Sequence, residues 1–399
     1  MTEAAPKLFS PIQLRNVQVK NRIMVSPMCQ YRSDDQGGPG DWHLVHLGQF
    51  AIGGAGLIFH EETAVSAEGR KTWHCAGLYH DEHTAAYRRI NQFLHSHGAT
   101  AAIQLGHSGR KGSNAGAMLD WRPLLETDAV NGTPPWQCYS ASNIPHESGW
   151  PAPAPMTTAQ ITSCIDDWVI ATRRAEDADF DILEIHAAHG YLIHQFLSPL
   201  SNQRTDQYGG SRSNRMRFAL ELCEAVRAAW PAHKPLFVRV SCVDGQGGVW
   251  NMDDTVALAI ELKAVGVDVI DCSSGGIIGS TDMPRVIRTP GFHLPFASRV
   301  RAEADIPVVA VGMITEARQA EGILQQEQAD IIAMAHELMA DPGWPLRAAR
   351  HLGLSDPWAV QPPDYAFRLR RRAEQAQKLL EQQSGPVDPG LTRLVNPQG

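Results

Sequence analysis

The sequence predicts an α/β protein, a (β/α)8 barrel with an N-terminal β-hairpin, a long loop after the third strand and a C-terminal helical tail. Three observations predict it. Eight short aliphatic or β-branched runs alternate with longer helix-patterned segments along the 399 residues. The runs are apolar almost throughout, as strands buried on both faces must be, which favours a parallel sheet. No G-x-G-x-x-G follows the first run, which weakens the open dinucleotide-binding sheet as the alternative.

The elements follow in order. "LFSPIQLRNVQVKN" reads as a hairpin ahead of the barrel. The strand candidates are "RIMVSPM" (22–28), "GLIFHEE" (56–62), "AAIQLG" (101–106) and "DILEIHA" (181–187), then "LFVRVS" (236–241), "DVIDCSS" (268–274), "IPVVAVG" (306–312) and "DIIAMA" (330–335). Between them, Thr157 opens "TTAQITSCIDDWVIATRRAEDA" as the expected N-cap, and Thr315 opens "TEARQAEGILQQ" with acid in the first turn. Gly266 closes "DDTVALAIELKAVG", the place where helices often end in glycine. Residues 113–156, rich in Gly, Pro, Trp and Asn, show no periodicity and read as a lid-like loop beside the mouth. The barrel is expected over residues 1–355 and the tail over 356–399.

Composition excludes several classes. Hydrophobic residues make up 43% and charged residues 20%, with 35 Lys and Arg against 43 Asp and Glu, a net charge of −8. An acidic total speaks against a nucleic-acid or anionic-membrane binder. The basic run "RLRRR" at 368–372 reads as a solvated helix face. Seven scattered cysteines without C-x-x-C fit free thiols in a reducing compartment and give no zinc or iron–sulfur spacing. The opening "MTEAAPKLFSPIQL" lacks a basic n-region followed by an apolar core, and no apolar stretch is long enough to span a bilayer. The expected location is the cytoplasm.

Barrels carry their chemistry at the C-terminal ends of the strands. The first strand ends in Ser26, Pro27, Met28 and Cys29, followed by Tyr31; the second in Glu61 and Glu62; the third in Gln104, followed by His107, Arg110 and Lys111. The fourth ends in His186, His189 and Tyr191, and the fifth carries Arg239. The last three end in Ser274, Gly275 and Gly276, in Gly312, and in "AHE" with His336. Small residues there let backbone N–H groups approach an anion, and barrels often hold phosphate at the loops after strands seven and eight. No carboxylate cluster suits a hard metal. The set points to a phosphate-bearing organic cofactor beside a pocket of neutral hydrogen-bond donors. Plainer readings stand beside this one. Cys29 suits a small buried hydrophobe, Arg239 a pairing with a core carboxylate, and Gln104 a partner for backbone groups. "SSGG" suits a simple loop. H-x-x-H could bind zinc if Glu61, Glu62 or His107 supplied a third ligand.

"VSPMCQY", "IQLGHSGRK", "IHAAHGYLIHQFLSPLSNQRTDQYGGSRSNRMRF", "VRVS", "DCSSGG" and "VGMI" resemble the old yellow enzyme family of flavin-dependent ene-reductases, in particular its bacterial xenobiotic-reductase subclass. The resemblance implies non-covalent FMN, with NADPH or NADH as reductant. It places Ser26, Pro27, Met28 and Cys29 along the flavin, with Cys29 also contacting substrate. It puts Gln104 at the pyrimidine edge, Arg239 beside N1 and O2, and Ser274, Gly275 and Gly312 at the phosphate. His186 and His189 would polarise a substrate carbonyl or nitro oxygen, Tyr191 would donate the proton, and Tyr31 and Lys111 would touch substrate. No metal is implied. Two departures stand out: His336 occupies the place of the family's phosphate-binding arginine, and Glu62 stands where a small residue usually faces the flavin. The implied partners are a small activated alkene or nitro compound and a second copy of the chain, as homodimer or homotetramer. Tyr365, Phe367 and Arg368 of the tail are the candidates for reaching a neighbour's site. Competing readings are a flavin dehydrogenase or demethylase working in the oxidative sense, a metal-dependent barrel hydrolase using the histidine pair, and a cofactor-free binding protein.

Overall fold

The computed structural model describes residues 6–245, 249–277 and 287–383. A hairpin of β1 (Ile12–Leu14) and β2 (Val17–Val19), antiparallel with Ile12 opposite Val19, precedes the barrel. The barrel strands are β3 (Ile23–Val25), β4 (Leu57–Ala64) and β5 (Thr100–Gly106). After the short pair β6 (Tyr139–Ser140) and β7 (Ala154–Pro155) come β8 (Ile182–Ala187), β9 (Leu236–Ser241), β10 (Val269–Ser273), β11 (Val308–Ala310) and β12 (Ile331–Met334). The eight strands close in the order β3-β4-β5-β8-β9-β10-β11-β12, and each neighbouring pair is parallel.

The helices are α1 (Asp41–Gly53), α2 (Glu82–Ser96), α3 (Thr158–Asp177), α4 (Leu192–Leu197), α5 (Arg212–Ala229), α6 (Met252–Ala264), α7 (Leu294–Ala304), α8 (Ala317–Gln325), α9 (His336–Ala340), α10 (Trp344–His351) and α11 (Pro363–Gln383). Thr157 caps α3 as expected: its hydroxyl accepts from the Gln160 amide while Gln160 Oε1 accepts from the Thr157 N–H. Thr315 does not cap α8. That helix starts two residues later with Glu316 as N-cap and no side-chain cap bond, so the acid precedes the first turn. Gly266 follows the end of α6 with φ +98°.

Side chains alternate across a strand with period two, and in a closed barrel this sorts them into an inner and an outer set. The outer set packs under the helices and includes Ile23, Ile58, Ile103, Leu183, Val238 and Ile270. The inner set fills the lower barrel with Met24, Leu57, Phe59, Ala102, Ile182, Phe237 and Val269. Leu14 and Val19 of the hairpin belong to the same cluster, so the hairpin closes that end of the barrel. The inner set then turns polar toward the C-terminal rim: Ile182 is followed inward by Glu184 and His186, Phe237 by Arg239 and Ser241, and Val269 by Asp271 and Ser273.

The 113–156 segment contains β6 and β7 and is tied down at several points. Arg204 donates to the Ala141 and Met156 carbonyls, Arg110 to the Ile144 carbonyl, and the Trp136 indole to the Glu68 carbonyl. Trp121 meets Tyr31 edge-on with centroids 5.3 Å apart. The tail forms α11, which carries exposed Tyr365, Phe367 and Arg368; residues 384–399 lie outside the described residues. Among the described residues, no helix is long and apolar enough to cross a membrane.

Candidate active site

A cavity of about 730 Å³ opens at the C-terminal rim, where every barrel strand contributes a wall. Pro27 and Cys29 come from the end of β3, Glu62 from β4, Gln104 from β5, and His186 from β8. Arg239 comes from β9, Ser273 to Gly275 from β10, Gly312 from β11 and His336 from the start of α9. His189 and Tyr191 enter on the turn after β8. Four expected residues stand outside this lining. Ser26 is buried with its hydroxyl unpartnered, Met28 packs against the core, the Tyr31 ring centroid is 5.9 Å from Lys71 Nζ, and Lys111 donates to the His189 carbonyl at 2.8 Å.

One irregularity decides which glutamate faces inward. Strand alternation from Phe59 would turn Glu61 into the barrel. A register shift between His60 and Glu62 makes Glu62 the neighbour of Gln104, and Glu61 turns away. Glu61 instead meets His43 Nε2 at 3.1 Å and accepts from the Gln30 N–H. The metal reading of H-x-x-H therefore loses Glu61, and His107 Nδ1 is engaged by the Gly109 N–H. Among the described residues, no three His, Cys, Asp or Glu side chains are grouped as a metal ion would need.

The histidine pair is arranged to donate. His189 sits at φ +58°, a left-handed conformation uncommon for a non-glycine residue, and this turn folds its ring back onto His186. His186 Nε2 and His189 Nδ1 are 3.3 Å apart, and His189 Nε2 is 2.7 Å from Ser273 Oγ. The Ala188 N–H lies 3.4 Å from His186 Nδ1, which favours the proton on Nε2. Burial, then the Arg239 cation, pushes both imidazoles well below their ordinary pKa, so both are neutral at physiological pH. Tyr191 stacks edge-on against His186 with centroids 5.0 Å apart. Burial raises its phenol despite the opposing pull of Lys71, so it keeps its proton. Cys29 is likewise pushed up to about 12, mainly by burial, so it is a thiol.

The floor of the cavity is a polar layer. Gln104 Nε2 donates to Glu184 Oε1 at 2.8 Å, which leaves its amide oxygen free to accept. Arg239 Nε lies 3.1 Å from Asp271 Oδ2, within ion-pair distance but not aligned as a hydrogen bond. The expectation that Arg239 needs a core anion is thus met by Asp271. Burial first, then the neighbouring Asp271, raises Glu184 well above the usual carboxylate range, and burial raises Asp271.

These residues fit a flavin mononucleotide. Gly275 has φ +77°, and a Cβ there would meet nothing within 4 Å, so this backbone lies open to the cavity as a phosphate cradle requires. Ser274, Gly312 and His336 surround the same end, joined by His293, whose Nε2 is 2.8 Å from Ser274 Oγ. Gln104 and Arg239 line the cavity and would present an acceptor and a cation to the flavin ring. When bound, FMN supplies hydride transfer; the protein supplies orientation and charge.

Several residues here escape the strand-end reading. Glu184 and Asp271 carried a signal, a carboxylate within an apolar strand, which must find a partner when buried. Ser273 stood one residue before the serine singled out. Lys71 carried none: it lies in the loop after β4, yet its side chain is 4% exposed and contacts Glu62 Oε2 at 2.5 Å and Cys29 Sγ at 2.8 Å.

The comparisons agree with this geometry. The sequence profile of the NADH:flavin oxidoreductase / NADH oxidase family matches residues 7–355. The chain is 42% identical over 356 residues to an NADPH dehydrogenase of Geobacillus sp. (strain WCH70), covering 89% of this chain and 97% of that protein. It is 39% identical over 358 residues to an NADPH dehydrogenase of Bacillus subtilis (strain 168), covering 90% and 98%. Morphinone reductase in complex with tetrahydroNAD superposes with a TM-score of 0.71 at 26% identity, across 90% of this chain and 94% of that one. The chain belongs to the NADH:flavin oxidoreductase / NADH oxidase family, the old yellow enzymes, and is an oxidoreductase of that type using FMN and NAD(P)H.

Proposed function

We propose that the protein reduces activated C=C bonds, as in enones and related nitro or ester acceptors, with Tyr191 as the proton donor and His186 and His189 as the carbonyl-binding pair. The observation that carries this reading is one buried group: two neutral imidazoles 3.3 Å apart with a protonated phenol against them, all on the cavity wall. An oxygen placed between His186 Nε2 and His189 Nδ1 accepts from both when Ser273 O–H donates to His189 Nε2 and thereby sets the proton on Nδ1. Fixed donors of this kind stabilise the negative charge that develops on a carbonyl oxygen as hydride arrives at the β carbon. Tyr191 then delivers its proton to the α carbon. The hydride would come from FMN, which Gln104, Arg239 and the Ser274–Gly275 backbone would hold. Arg239, on the cavity wall, would set a positive charge against a bound flavin and favour its reduced anion.

The 113–156 segment is read as the wall of the mouth, supported by Trp121 against Tyr31. The exposed Tyr365 and Phe367 support a tail that reaches a neighbouring subunit in a homodimer or homotetramer.

Rapid-mixing kinetics test the central assignment. In Tyr191→Phe, reoxidation of the enzyme by 2-cyclohexenone should slow about 10²- to 10⁴-fold, the range of a lost general acid. Flavin reduction by NADPH should change little. Equal losses in the two half-reactions reject Tyr191 as the donor.

A further inference from the structure

The substrate side of the cavity holds an ion pair that the reaction just described does not use. Glu62 and Lys71 are each 4% exposed, and both line the cavity beside Cys29 and Tyr191. The ammonium contacts Glu62 Oε2 at 2.5 Å and donates to Cys29 Sγ at 2.8 Å. It has three N–H donors, and two rings face it, with the Tyr191 and Tyr31 centroids 5.0 Å and 5.9 Å from Nζ. Burial, the largest single influence, would lower this ammonium; Cys29, Glu62, Tyr191 and Tyr31 together outweigh it and hold it well above its ordinary value.

The other carboxylate oxygen is the telling atom. Glu62 Oε1 is buried and has no hydrogen-bond partner in the protein. It lies over Gly106, where even a Cβ would come within 2.1 Å of it, so the wall has been left bare to admit this carboxylate. A buried acceptor is normally satisfied, and one that is not is a place where a ligand can be recognised. The pair thus offers an anionic acceptor and an ammonium donor side by side. An amide edge, N–H next to C=O, is the neutral group that answers both. A lone cation would be repelled by Lys71 and a lone anion by Glu62.

We propose that Glu62 and Lys71 form a two-point recognition site for an amide-type edge, so that unsaturated imides and related dicarbonyl amides, which keep a second carbonyl for the histidine pair, are preferred to simple enones. The proposal rests on the alkene-reductase reading of the same site for the words "unsaturated" and "enone", and its test separates the two. The probes are δ-valerolactam and cyclohexanone, two unreactive rings of nearly the same shape that differ by N–H against CH2. Dissociation constants come from the change in flavin absorbance on titrating the FMN-loaded enzyme.

The ratio of the two constants in the native protein should favour the lactam by about tenfold or more, the size expected of a hydrogen bond to a charged acceptor. Removing one partner alone leaves an unpaired buried charge and can unfold the site. The variant is therefore the double substitution Glu62→Ala/Lys71→Leu, which removes both charges at once, with retained flavin absorbance as the check on folding. Its lactam preference should fall at least about fivefold. A ratio unchanged within about twofold, or a native protein without lactam preference, overturns the proposal. Turnover of 2-cyclohexenone is read separately. A native enzyme that keeps the lactam preference but reduces no alkene supports the subsite and rejects the reductase reading.

Discussion

His189 shows how much a single residue can decide. Its left-handed backbone, φ +58°, brings Nδ1 within 3.3 Å of His186 Nε2 and sends Nε2 to Ser273 Oγ at 2.7 Å. A hydroxyl can donate or accept, so Ser273 allows His189 to carry its proton on either nitrogen. Without the hydroxyl, the Nδ1–H form that faces a bound oxygen loses its support. Ser273→Ala should therefore weaken binding of cyclohexanone to the FMN-loaded enzyme by about tenfold, the worth of about one such hydrogen bond. Flavin reduction by NADPH should move less than about twofold in the same variant. A parallel loss in both would assign Ser273 to packing alone.

At the scale of elements, β4 and β5 share one device. The irregularity at His60 to Glu62 re-aims the strand, and the bare Gly106, two residues beyond Gln104 on β5, receives the glutamate that results. A methyl group at position 106 would lie 2.1 Å from Glu62 Oε1 and 2.6 Å from its Cγ, so the carboxylate must leave its place. Gly106→Ala should cost about 1–3 kcal/mol in denaturant unfolding, as overpacking does. The cost should shrink in the Glu62→Ala/Lys71→Leu background, which makes room without stranding the buried ammonium, a coupling that a double-mutant cycle reads directly. Additive costs would show that the two positions do not touch. The same inward alternation places Glu184, Arg239 and Asp271 in one layer, which the strand pattern implies once the barrel is closed.

For the whole molecule, buried imidazoles set the acid side of stability. Burial lowers His46, His60, His83, His107, His146, His186, His189 and His293, the last to about 3. Each is neutral when folded and titrates near 6.5 when unfolded. Below that value the unfolded chain binds more protons, so stability is full above about pH 6.5 and is lost progressively as pH falls. Glu184, Asp271 and Asp167, the last raised to about 6 mainly by burial, act in the opposite sense, since their folded values are raised and the unfolded chain releases protons first. Three groups against eight leave the histidines dominant between about pH 6.5 and 5. Calorimetry of the FMN-loaded protein should show the melting temperature falling over that interval. A melting temperature that is flat or rises toward acid would show that these rings are not held neutral.

The sequence by itself determined the barrel, its eight strands, the hairpin and most of the cavity wall. Apolar runs, helix caps and strand-end chemistry are local, and a closed parallel barrel turns strand order into a ring of strand ends. It also determined that Cys29, Gln104, His186, His189, Tyr191 and Arg239 converge, because each sits at or beside such an end. Only the tertiary structure decided which of Glu61 and Glu62 faces inward, since a one-residue irregularity reverses the alternation that a sequence pattern reads. It alone brought in Lys71 from a loop, because the burial of a loop lysine depends on what folds over it. It alone paired Arg239 with Asp271 and His189 with Ser273, because contacts across the barrel are set by strand register and closure, which no local pattern contains.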